Sequence, residues 1–262
     1  MDLGLKDKVV VITGAASGIG KAIAIAYANE GAKLALADIN FAGLKKLKNE
    51  LTTEVLIKNV DITDAKACKT FIANVVKTFG KIDILVNNAG TALMGDMETF
   101  PEEIFRKHAE LMMYAPVRLT NLCIPHFKKN GWGSVVNIAS IFGKQPGGLI
   151  SYDTIKAADI MITKDYSSYC APFNVNVNAV CPGPVDTPLW HADGQLGDQL
   201  ASATGMKKDA AIDWFAKSNI PMGRYAKPEE IANATVFLSS VPAHYITGVA
   251  LNVDGGMVKC CF

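Results

Sequence analysis

The sequence predicts an α/β protein built on a doubly wound, seven-stranded parallel sheet flanked by helices. Seven short apolar runs, rich in β-branched residues, alternate with segments of helical periodicity along the 262 residues. Most of these runs are continuously apolar rather than alternating, which is typical of strands that are covered on both faces. Because a helix lies between successive strands, we expect right-handed βαβ units and hence a parallel sheet.

The predicted elements follow one another along the chain without a linker or repeat, so residues 1–262 are predicted to form one domain. The seven predicted strands are 9–12, 34–37, 55–57, 82–86, 135–138, 175–180 and 249–253. Between the first two, Ile19, Ile23 and Ala26 recur at helical spacing, and Gly31 ends the pattern. The segment 188–219 holds helical patches without a strand. It is therefore predicted to be an insertion that covers the carboxyl edge of the sheet as a substrate lid.

Composition excludes several classes of function. The 26 Lys and Arg residues nearly balance the 25 Asp and Glu residues, so no basic surplus points to a nucleic acid or a membrane surface. The chain shows no secretory signal pattern and no apolar stretch long enough to span a bilayer. Its six cysteines form no CxxC pair and no metal-ligand spacing with the four histidines. We therefore expect a cytoplasmic protein with reduced thiols and no metal, either a small-molecule enzyme or an assembly subunit.

A glycine-rich turn with Gly14, Gly18 and Gly20 follows the first strand directly and runs into the first helix. Backbone N–H groups of such a turn can approach a pyrophosphate, and the helix N-terminus supplies partial positive charge. Glycines alone are weak evidence, but here the strand before and the helix after them supply the required context. The turn therefore predicts a Rossmann-type dinucleotide site that includes Ser17 and Ile19.

The second predicted strand leads into Asp38, where a dinucleotide-binding fold places an acid for the adenosine ribose. A carboxylate there accepts hydrogen bonds from the ribose hydroxyls and repels a 2′-phosphate. Its neighbours Ile39 and Asn40 offer no cation to offset that repulsion. The sequence therefore predicts NAD rather than NADP. Asp38 could also cap the next helix, and the two roles are compatible.

Further motifs occur in order along the rest of the chain. They are NNAG at 87–90 after the fourth predicted strand, Ser140 after the fifth, YxxxK at 152–156, PGxVxT at 182–187 after the sixth, and DGG at 254–256. With the TGxxxGxG turn at 13–20, these motifs resemble the short-chain dehydrogenase/reductase family over essentially the whole chain. Because all of them appear in the family's order, the sequence is identified as a member.

Three residues carry the predicted chemistry. Tyr152 and Lys156 lie four residues apart on a helical pattern, so they share one face. A phenol is a weak base at neutral pH, but a neighbouring ammonium and an oxidised nicotinamide favour its phenolate form. Ser140 can bind the substrate oxygen and orient it against the phenol. The cofactor supplies the hydride chemistry, and the protein aligns the reacting carbon with it.

The resemblance also implies the remaining cofactor contacts. It implies that Lys156 binds the nicotinamide ribose and Asp61 the adenine side. It further implies that Asn88 lines the cofactor channel, and that Val185 and Thr187 contact the carboxamide. The other implied contacts are Ile62, Ala89, Gly90, Pro182 and Gly183. Finally, the resemblance implies a homo-oligomer, a dimer or a tetramer, formed through the long helices.

Two features depart from the family pattern. Alignment places Met112 where the family usually carries an asparagine on the long helix. A thioether cannot hold the water which that asparagine is thought to position beside the lysine, so proton transfer takes another path or is slower. His108 could substitute, although a solvated or structural histidine is the simpler interpretation. The interval from Ser140 to Tyr152 is also one residue shorter than is common in the family.

Apolar side chains near the expected pocket favour a fairly hydrophobic secondary alcohol or ketone, unless they merely pack the lid. They are Met94, Ile141, Phe142, Leu149, Leu189 and Trp190. Lys144, Gln145 and His191 are alternative anchors for a polar group such as that of a hydroxy acid.

Three functions stay open on this basis. The first is an NAD-dependent secondary-alcohol dehydrogenase, and the second is a hydroxysteroid or bile-acid dehydrogenase. The third, suggested by Met112, is an NAD-binding regulator or scaffold with little turnover. An acyl-carrier-protein reductase is disfavoured, because Asp38 disfavours NADP and no dense basic patch marks a carrier docking site.

Overall fold

The computed structural model describes residues 1–259 and contains one sheet of seven parallel strands in the order β3-β2-β1-β4-β5-β6-β7. The strands are β1 Val9–Thr13, β2 Lys33–Asp38, β3 Val55–Asn59, β4 Ile84–Asn87, β5 Gly133–Ile138, β6 Val175–Pro182 and β7 Ala250–Val253. All six pairs of neighbouring strands are parallel. The predicted fold class, a seven-stranded doubly wound parallel sheet, is confirmed.

Ten α-helices are found in the described part of the chain. They are α1 Gly18–Asn29, α2 Phe41–Glu50, α3 Ala65–Phe79, α4 Glu102–Ala109, α5 Ala115–Asn130, α6 Ile150–Cys170, α7 Pro188–His191, α8 Leu196–Thr204, α9 Lys208–Asn219 and α10 Pro228–Leu238. A π-helical turn, Glu110–Tyr114, joins α4 to α5, and a short 3₁₀ turn, Ile141–Gly143, follows β5.

Helices cover both faces of the sheet, which explains the continuous apolar runs. In β1, Val10 and Ile12 pack into one core with α1 and α10, whereas Val9 and Val11 pack into the other core with α3 and α5. All four side chains are fully buried. Burying a side chain of this kind contributes about 1.5–3 kcal/mol, so a polar residue at any of these positions would be destabilising.

Some predicted strand ends were wrong by one or two residues. The fourth strand begins at Ile84 rather than at residue 82. Asp83, just before it, already bonds both neighbouring strands: its N–H donates to the Val9 carbonyl at 2.9 Å, and its carbonyl accepts the Ser134 N–H at 3.0 Å. The seventh begins at Ala250 rather than at residue 249. Helix α1 ends at Asn29, and Gly31 follows with φ +74°, as expected for a residue that ends a helix.

The segment 188–219 forms α7, α8 and α9, and within it the structure contains no strand. These helices form a small core of their own, in which the rings of Trp190 and Phe215 lie 5.6 Å apart. That core also contains Leu149 from the loop before α6 and Ala92 from the loop after β4. The segment therefore covers the carboxyl ends of the central strands.

Four cysteines, Cys68, Cys123, Cys170 and Cys181, are buried free thiols. The terminal pair, Cys260 and Cys261, lies outside the described residues. Of the helices between residues 1 and 259, none combines the length and apolarity that crossing a membrane requires.

Strand order reverses at the junction between β1 and β4, from which the chain builds outward in both directions. In an open parallel sheet, the loops that leave the strands on the two sides of such a junction diverge and open a crevice. The loops after β1, β4, β5 and β6 all reach this edge. The fold therefore places the predicted site residues around one crevice.

Candidate active site

The turn between β1 and α1 is shaped by its glycines. Gly14 and Gly18 have φ values of +64° and +53°, in the left-handed region that side chains disfavour. A Cβ on Gly20 would lie 2.1 Å from the carbonyl oxygen of Gly14, so only glycine fits there. Within the described residues, the Ser17 side chain makes no capping hydrogen bond to α1. The first N–H groups of this 12-residue helix are therefore open to an anion.

Residues at the end of β4 hold the glycine turn in place. The Asn88 amide donates hydrogen bonds of 3.0 Å to the carbonyl oxygens of Thr13 and Gly14. In return, the Thr13 hydroxyl oxygen accepts the N–H groups of Asn88 and Ala89 at 3.1 and 3.2 Å. Asn88 therefore shapes the predicted cofactor channel by fixing the backbone of the turn.

Asp38 ends β2 and bridges two loops. Its Oδ2 accepts a hydrogen bond of 2.9 Å from Ala16 N–H, and its Oδ1 accepts one of 2.8 Å from Asn40 N–H. The carboxylate is half-buried, and each oxygen keeps further lone-pair capacity for a ligand hydroxyl. Helix α2 is capped by the Asn40 side chain, which accepts from Gly43 N–H, so the suggestion that Asp38 caps this helix was wrong.

The three predicted catalytic side chains line one cleft. Helix α6 carries both Tyr152 and Lys156, and the Lys156 Nζ lies 5.8 Å from the centre of the Tyr152 ring. Ser140 caps the 3₁₀ turn after β5 and accepts the Phe142 N–H at 3.1 Å, which leaves its O–H available to donate. The Lys156 ammonium donates hydrogen bonds to the Ile138 carbonyl at 2.8 Å and to the Asp159 carboxylate at 3.0 Å.

Charged and titratable neighbours act together on Lys156. Its burial lowers the pKa of the amine, but the negative charges of the Asp159 carboxylate and of a Tyr152 phenolate outweigh that effect, and the pKa is raised. The amine is therefore held as an ammonium beside the phenol, as the predicted chemistry requires.

The cleft has a volume of about 700 Å³ and extends from the glycine turn to helices α7 and α8. The predicted cofactor residues that line it are Gly14, Ser17, Gly18, Ile19, Asp38, Asp61, Ile62, Asn88, Ala89, Gly90, Tyr152, Lys156, Pro182, Gly183, Val185 and Thr187. The predicted substrate residues that line it are Ile141, Phe142, Leu149, Leu189 and Trp190. Residues far apart in the sequence thus meet around one cavity.

Some predicted residues lie outside the cleft. Gly20 sits beneath the turn, against Gly14, so its contribution is close packing rather than contact. Met94 packs at the edge of the lid core, and its N–H donates to the Gln199 side chain at 2.8 Å. Both were predicted to touch a ligand, and neither lines the cavity.

The suggested polar anchors also lie elsewhere. The Lys144 ammonium donates to the Ala250 carbonyl at 2.8 Å, and the His191 Nε2 pairs with Asp186 at 2.6 Å. Gln145 lines a separate depression that also contains Pro146. None of the three suggested anchors lines the cleft, whereas Lys107 and His108 do. Beside Trp190, the apolar side chains of Phe142, Leu149 and Leu189 form a cluster that also lines it.

Met112 and His108, the two residues that bear on the predicted path of proton transfer, have different surroundings. Met112 is buried in the π-helical turn and packs under Gly90, and it is not among the residues that line the cleft. His108 does line the cleft, and its Nδ1 lies 2.9 Å from the Ser151 hydroxyl. Burial lowers the pKa of His108, so its imidazole is neutral at physiological pH. The histidine is therefore buried and hydrogen-bonded rather than solvated.

Sequence reasoning missed Asp159, and it did not predict the contact that His108 makes with Ser151. Asp159 is buried and follows Lys156 at the i, i+3 spacing of helix neighbours, so the spacing was a usable signal. For His108 the partner is Ser151, which lies 43 residues away in the sequence, and no local pattern indicates that contact.

Comparisons with known proteins agree with this geometry. The family model described as enoyl-(acyl carrier protein) reductase matches residues 14–258. The chain is 35% identical over 260 residues to the 3-oxoacyl-(acyl-carrier-protein) reductase of Thermotoga maritima, covering 97% of this chain and 99% of that one. It is also 35% identical over 265 residues to the NAD-dependent glycerol dehydrogenase of Listeria innocua, covering 97% and 95%.

A solved structure of a related reductase also resembles this chain. The structure of L-sorbose reductase from Gluconobacter frateurii, complexed with NADPH and L-sorbose, superposes with a TM-score of 0.92 at 35% identity. The match covers 99% of this chain and 100% of that chain.

The fold and the cleft define a class: dinucleotide-binding oxidoreductases with a parallel α/β sheet. Within this class, the protein belongs to the short-chain dehydrogenase/reductase family. It is accordingly an oxidoreductase that acts on alcohols or ketones with a nicotinamide cofactor.

Proposed function

We propose that the protein is an NAD-dependent dehydrogenase that interconverts a fairly apolar secondary alcohol and its ketone in the cytoplasm. The observation that carries this proposal is the convergence of Ser140, Tyr152 and Lys156 on one cleft, which the apolar side chains of Leu149, Leu189 and Trp190 also line. The glycine turn and Asp38 line the other end of the same cleft.

The described residues fit a dinucleotide. The glycines let the turn pack closely against Asn88 and Ala89. The N-terminus of α1 faces the cleft through Ser17, Gly18 and Ile19, so this part would hold the pyrophosphate. Asp38 would accept the adenosine ribose hydroxyls, and Asp61 with Ile62 would border the adenine. On the opposite side, Pro182, Gly183, Val185 and Thr187 would contact the carboxamide.

The choice of NAD over NADP rests on Asp38. Both of its oxygens already accept a backbone N–H, which fixes the carboxylate at the position where a 2′-phosphate would approach. Like charges at such a distance repel each other, whereas two ribose hydroxyls would donate to the carboxylate. Similar proteins use both cofactors: the glycerol dehydrogenase is NAD-dependent, and the sorbose reductase was solved with NADPH.

A bound nicotinamide would supply the hydride chemistry at the carbon of the alcohol or ketone. The Ser140 O–H donates to the substrate oxygen and holds it near the phenol. In the oxidative direction, the Tyr152 phenolate removes the hydroxyl proton, and in the reductive direction the phenol returns it. Lys156 keeps its ammonium within 5.8 Å of the ring centre, which stabilises the phenolate, and it would also bind the nicotinamide ribose.

Substrate preference follows from the apolar end of the cleft. Ile141, Phe142, Leu149, Leu189 and Trp190 bound this region, and the suggested polar anchors lie outside it. A polyol placed there would lose hydrogen bonds to water without replacement, at about 1–3 kcal/mol for each buried group. We therefore expect apolar secondary alcohols to be better substrates than sugars or glycerol, and the helices α7–α9 to act as a lid over them.

We further propose that the protein forms a homo-oligomer through α5 and α6, as the family resemblance implies. These helices border a shallow apolar groove on the outside of the molecule, which includes Val117, Ile124 and Tyr169. Multi-angle light scattering of the purified protein tests this proposal directly: a monomer at micromolar concentration would contradict it.

A substrate panel tests the proposed function. Purified protein is supplied with NAD⁺ and, in turn, 2-octanol, cyclohexanol, a hydroxysteroid, glycerol and sorbitol, and NADH formation is followed by absorbance. We expect kcat/KM for the apolar alcohols to exceed that for the polyols by at least about tenfold. Selective activity with the hydroxysteroid would favour the narrower alternative. Tight NAD⁺ binding without turnover of any alcohol or ketone would favour a regulator or scaffold.

A further inference from the structure

We propose that Asp159 is a positioning residue for the reaction, which holds the Lys156 ammonium in place and in its charged form beside Tyr152. This inference rests on the proposed function, because it assigns Asp159 a part in the same proton transfer.

The contact itself is buried and specific. Asp159 and Lys156 are 3% and 5% exposed, and Oδ2 of the carboxylate lies 3.0 Å from Nζ. The ammonium donates a second hydrogen bond, of 2.8 Å, to the Ile138 carbonyl at the end of β5. Two of its three N–H groups are therefore used to aim the side chain, and the third remains for the nicotinamide ribose or the phenolate.

The surroundings of the Lys156–Asp159 ion pair indicate that its role is not limited to stabilising the fold. A buried ion pair loses the hydration of both ions, and apolar residues of similar volume often replace such a pair without loss of stability. Asp159 also has a buried Oδ1 with no hydrogen-bond partner among residues 1–259, so its burial is incompletely compensated. Its Oδ2, in contrast, is directed at the one lysine on which the proposed chemistry depends.

Few other titratable groups face this pair. They are Tyr152 on α6 and Cys181 on β6, with Lys144 beyond the cysteine. Burial raises the pKa of the Cys181 thiol to about 11, so it remains neutral at physiological pH. The Lys144 ammonium is engaged by the Ala250 carbonyl. Burial raises the pKa of the Asp159 carboxyl more than the Lys156 ammonium lowers it. When ionised, Asp159 is the group that offsets the burial of Lys156 while the phenol is neutral.

The expected consequence concerns alkaline pH. Without the Asp159 charge, burial of Lys156 is opposed only by the phenolate, so the ammonium loses its proton at a lower pH. Once the amine is neutral, it no longer stabilises the phenolate, and alcohol oxidation falls. The wild type should therefore keep its activity to a higher pH than a variant that lacks the carboxylate.

The test compares Asp159→Asn, which keeps the shape of the side chain, with Asp159→Glu, which keeps the charge. Glu50→Gln is the matched control, because Glu50 pairs with Lys21 at 2.7 Å on the exposed surface. Each protein is labelled with ¹⁵N-lysine, and the Lys156 ammonium is followed by NMR in the NADH complex from about pH 6 to about pH 11. The pH profiles of kcat and kcat/KM are then measured for the best alcohol of the panel.

We expect Asp159→Asn to lower the pH at which the Lys156 ammonium signal is lost by about one unit or more, and to shift the alkaline limb of kcat by the same amount. Asp159→Glu should restore most of the wild-type range, and Glu50→Gln should match the wild type. Identical titrations in the wild type and Asp159→Asn would overturn the proposal. If Asp159→Asn does not fold, loss of the ammonium signal of the wild type below about pH 9 would overturn it instead. Absence of turnover would refute the proposed function, while the NMR titration would still decide the role of Asp159.

Discussion

Replacing Asp38 by alanine should shift cofactor preference from NAD toward NADP. The substitution removes the carboxylate at the end of β2, together with its hydrogen bonds to the N–H groups of Ala16 and Asn40. Two contributions to cofactor binding then change. NAD⁺ loses an acceptor for its ribose hydroxyls, and NADP⁺ is no longer repelled by a negative charge that faces its 2′-phosphate.

The size of each term follows from the geometry. Hydrogen bonds to a charged acceptor contribute about 1.5–3 kcal/mol, so NAD⁺ binding should weaken by about 10- to 100-fold. Two unit charges about 4 Å apart near a protein surface interact by about 4 kcal/mol, but Asp38 is half-buried and faces solvent, so we discount this to about 1–2 kcal/mol. Summing both terms, the ratio of kcat/KM for NAD⁺ over NADP⁺ should fall by about 10²- to 10³-fold.

The assay measures kcat/KM for both cofactors at a saturating alcohol concentration. Asp38→Asn is the informative second variant, because it removes the charge but keeps an oxygen that can accept from Ala16 N–H. It should relieve the repulsion of NADP⁺ while preserving the turn, which thermal unfolding can verify. A cofactor ratio that stays within about threefold of the wild type in both variants would refute the argument from the ribose.

Three further substitutions test the site. Tyr152→Phe should reduce turnover by about 10²- to 10⁴-fold while NAD⁺ still binds, as followed by NADH fluorescence, and retained activity would reject the acid/base role. Met112→Asn should lower Tm by roughly 3–10 °C, because it buries an unpaired amide under Gly90. The pH profile of turnover should stay unchanged. An altered profile would mean that this position takes part in proton transfer. Burial lowers the pKa of His108 in the folded protein, so its contribution to stability is complete above the pKa of the unfolded state and is lost as the pH falls through the pKa of the folded state. Tm should therefore decrease by a few degrees from about pH 7.5 to about pH 5.5. In His108→Asn this decrease should be less steep.

Local sequence patterns were sufficient for the fold and for the centre of the site. The continuous apolar run of β1 predicted a strand covered on both faces, and both faces are indeed covered. The glycine turn could be interpreted because its requirements are local: φ values near +60° and the absence of a Cβ are properties of single residues and their immediate neighbours. Tyr152 and Lys156 share a face because helical periodicity dictates it.

Side-chain partners from distant segments could not be obtained in this way. Lys144 and His191 were candidates for the cleft because they lie in loops near it, but Ala250 and Asp186 bind them elsewhere. The sequence predicts that Met112 departs from the family pattern, but only packing shows that its thioether lies under Gly90.

The sequence alone determined which predicted site residues the chain carries and in what order. They are a phosphate-binding turn, an acid at the end of the second strand, and a tyrosine and a lysine on one later helix. Only the tertiary structure decided which groups are buried together, including the Asp159 carboxylate against the Lys156 ammonium. The physical reason is that backbone conformation depends mainly on neighbouring residues, whereas the charge state and direction of a buried group depend on everything packed around it.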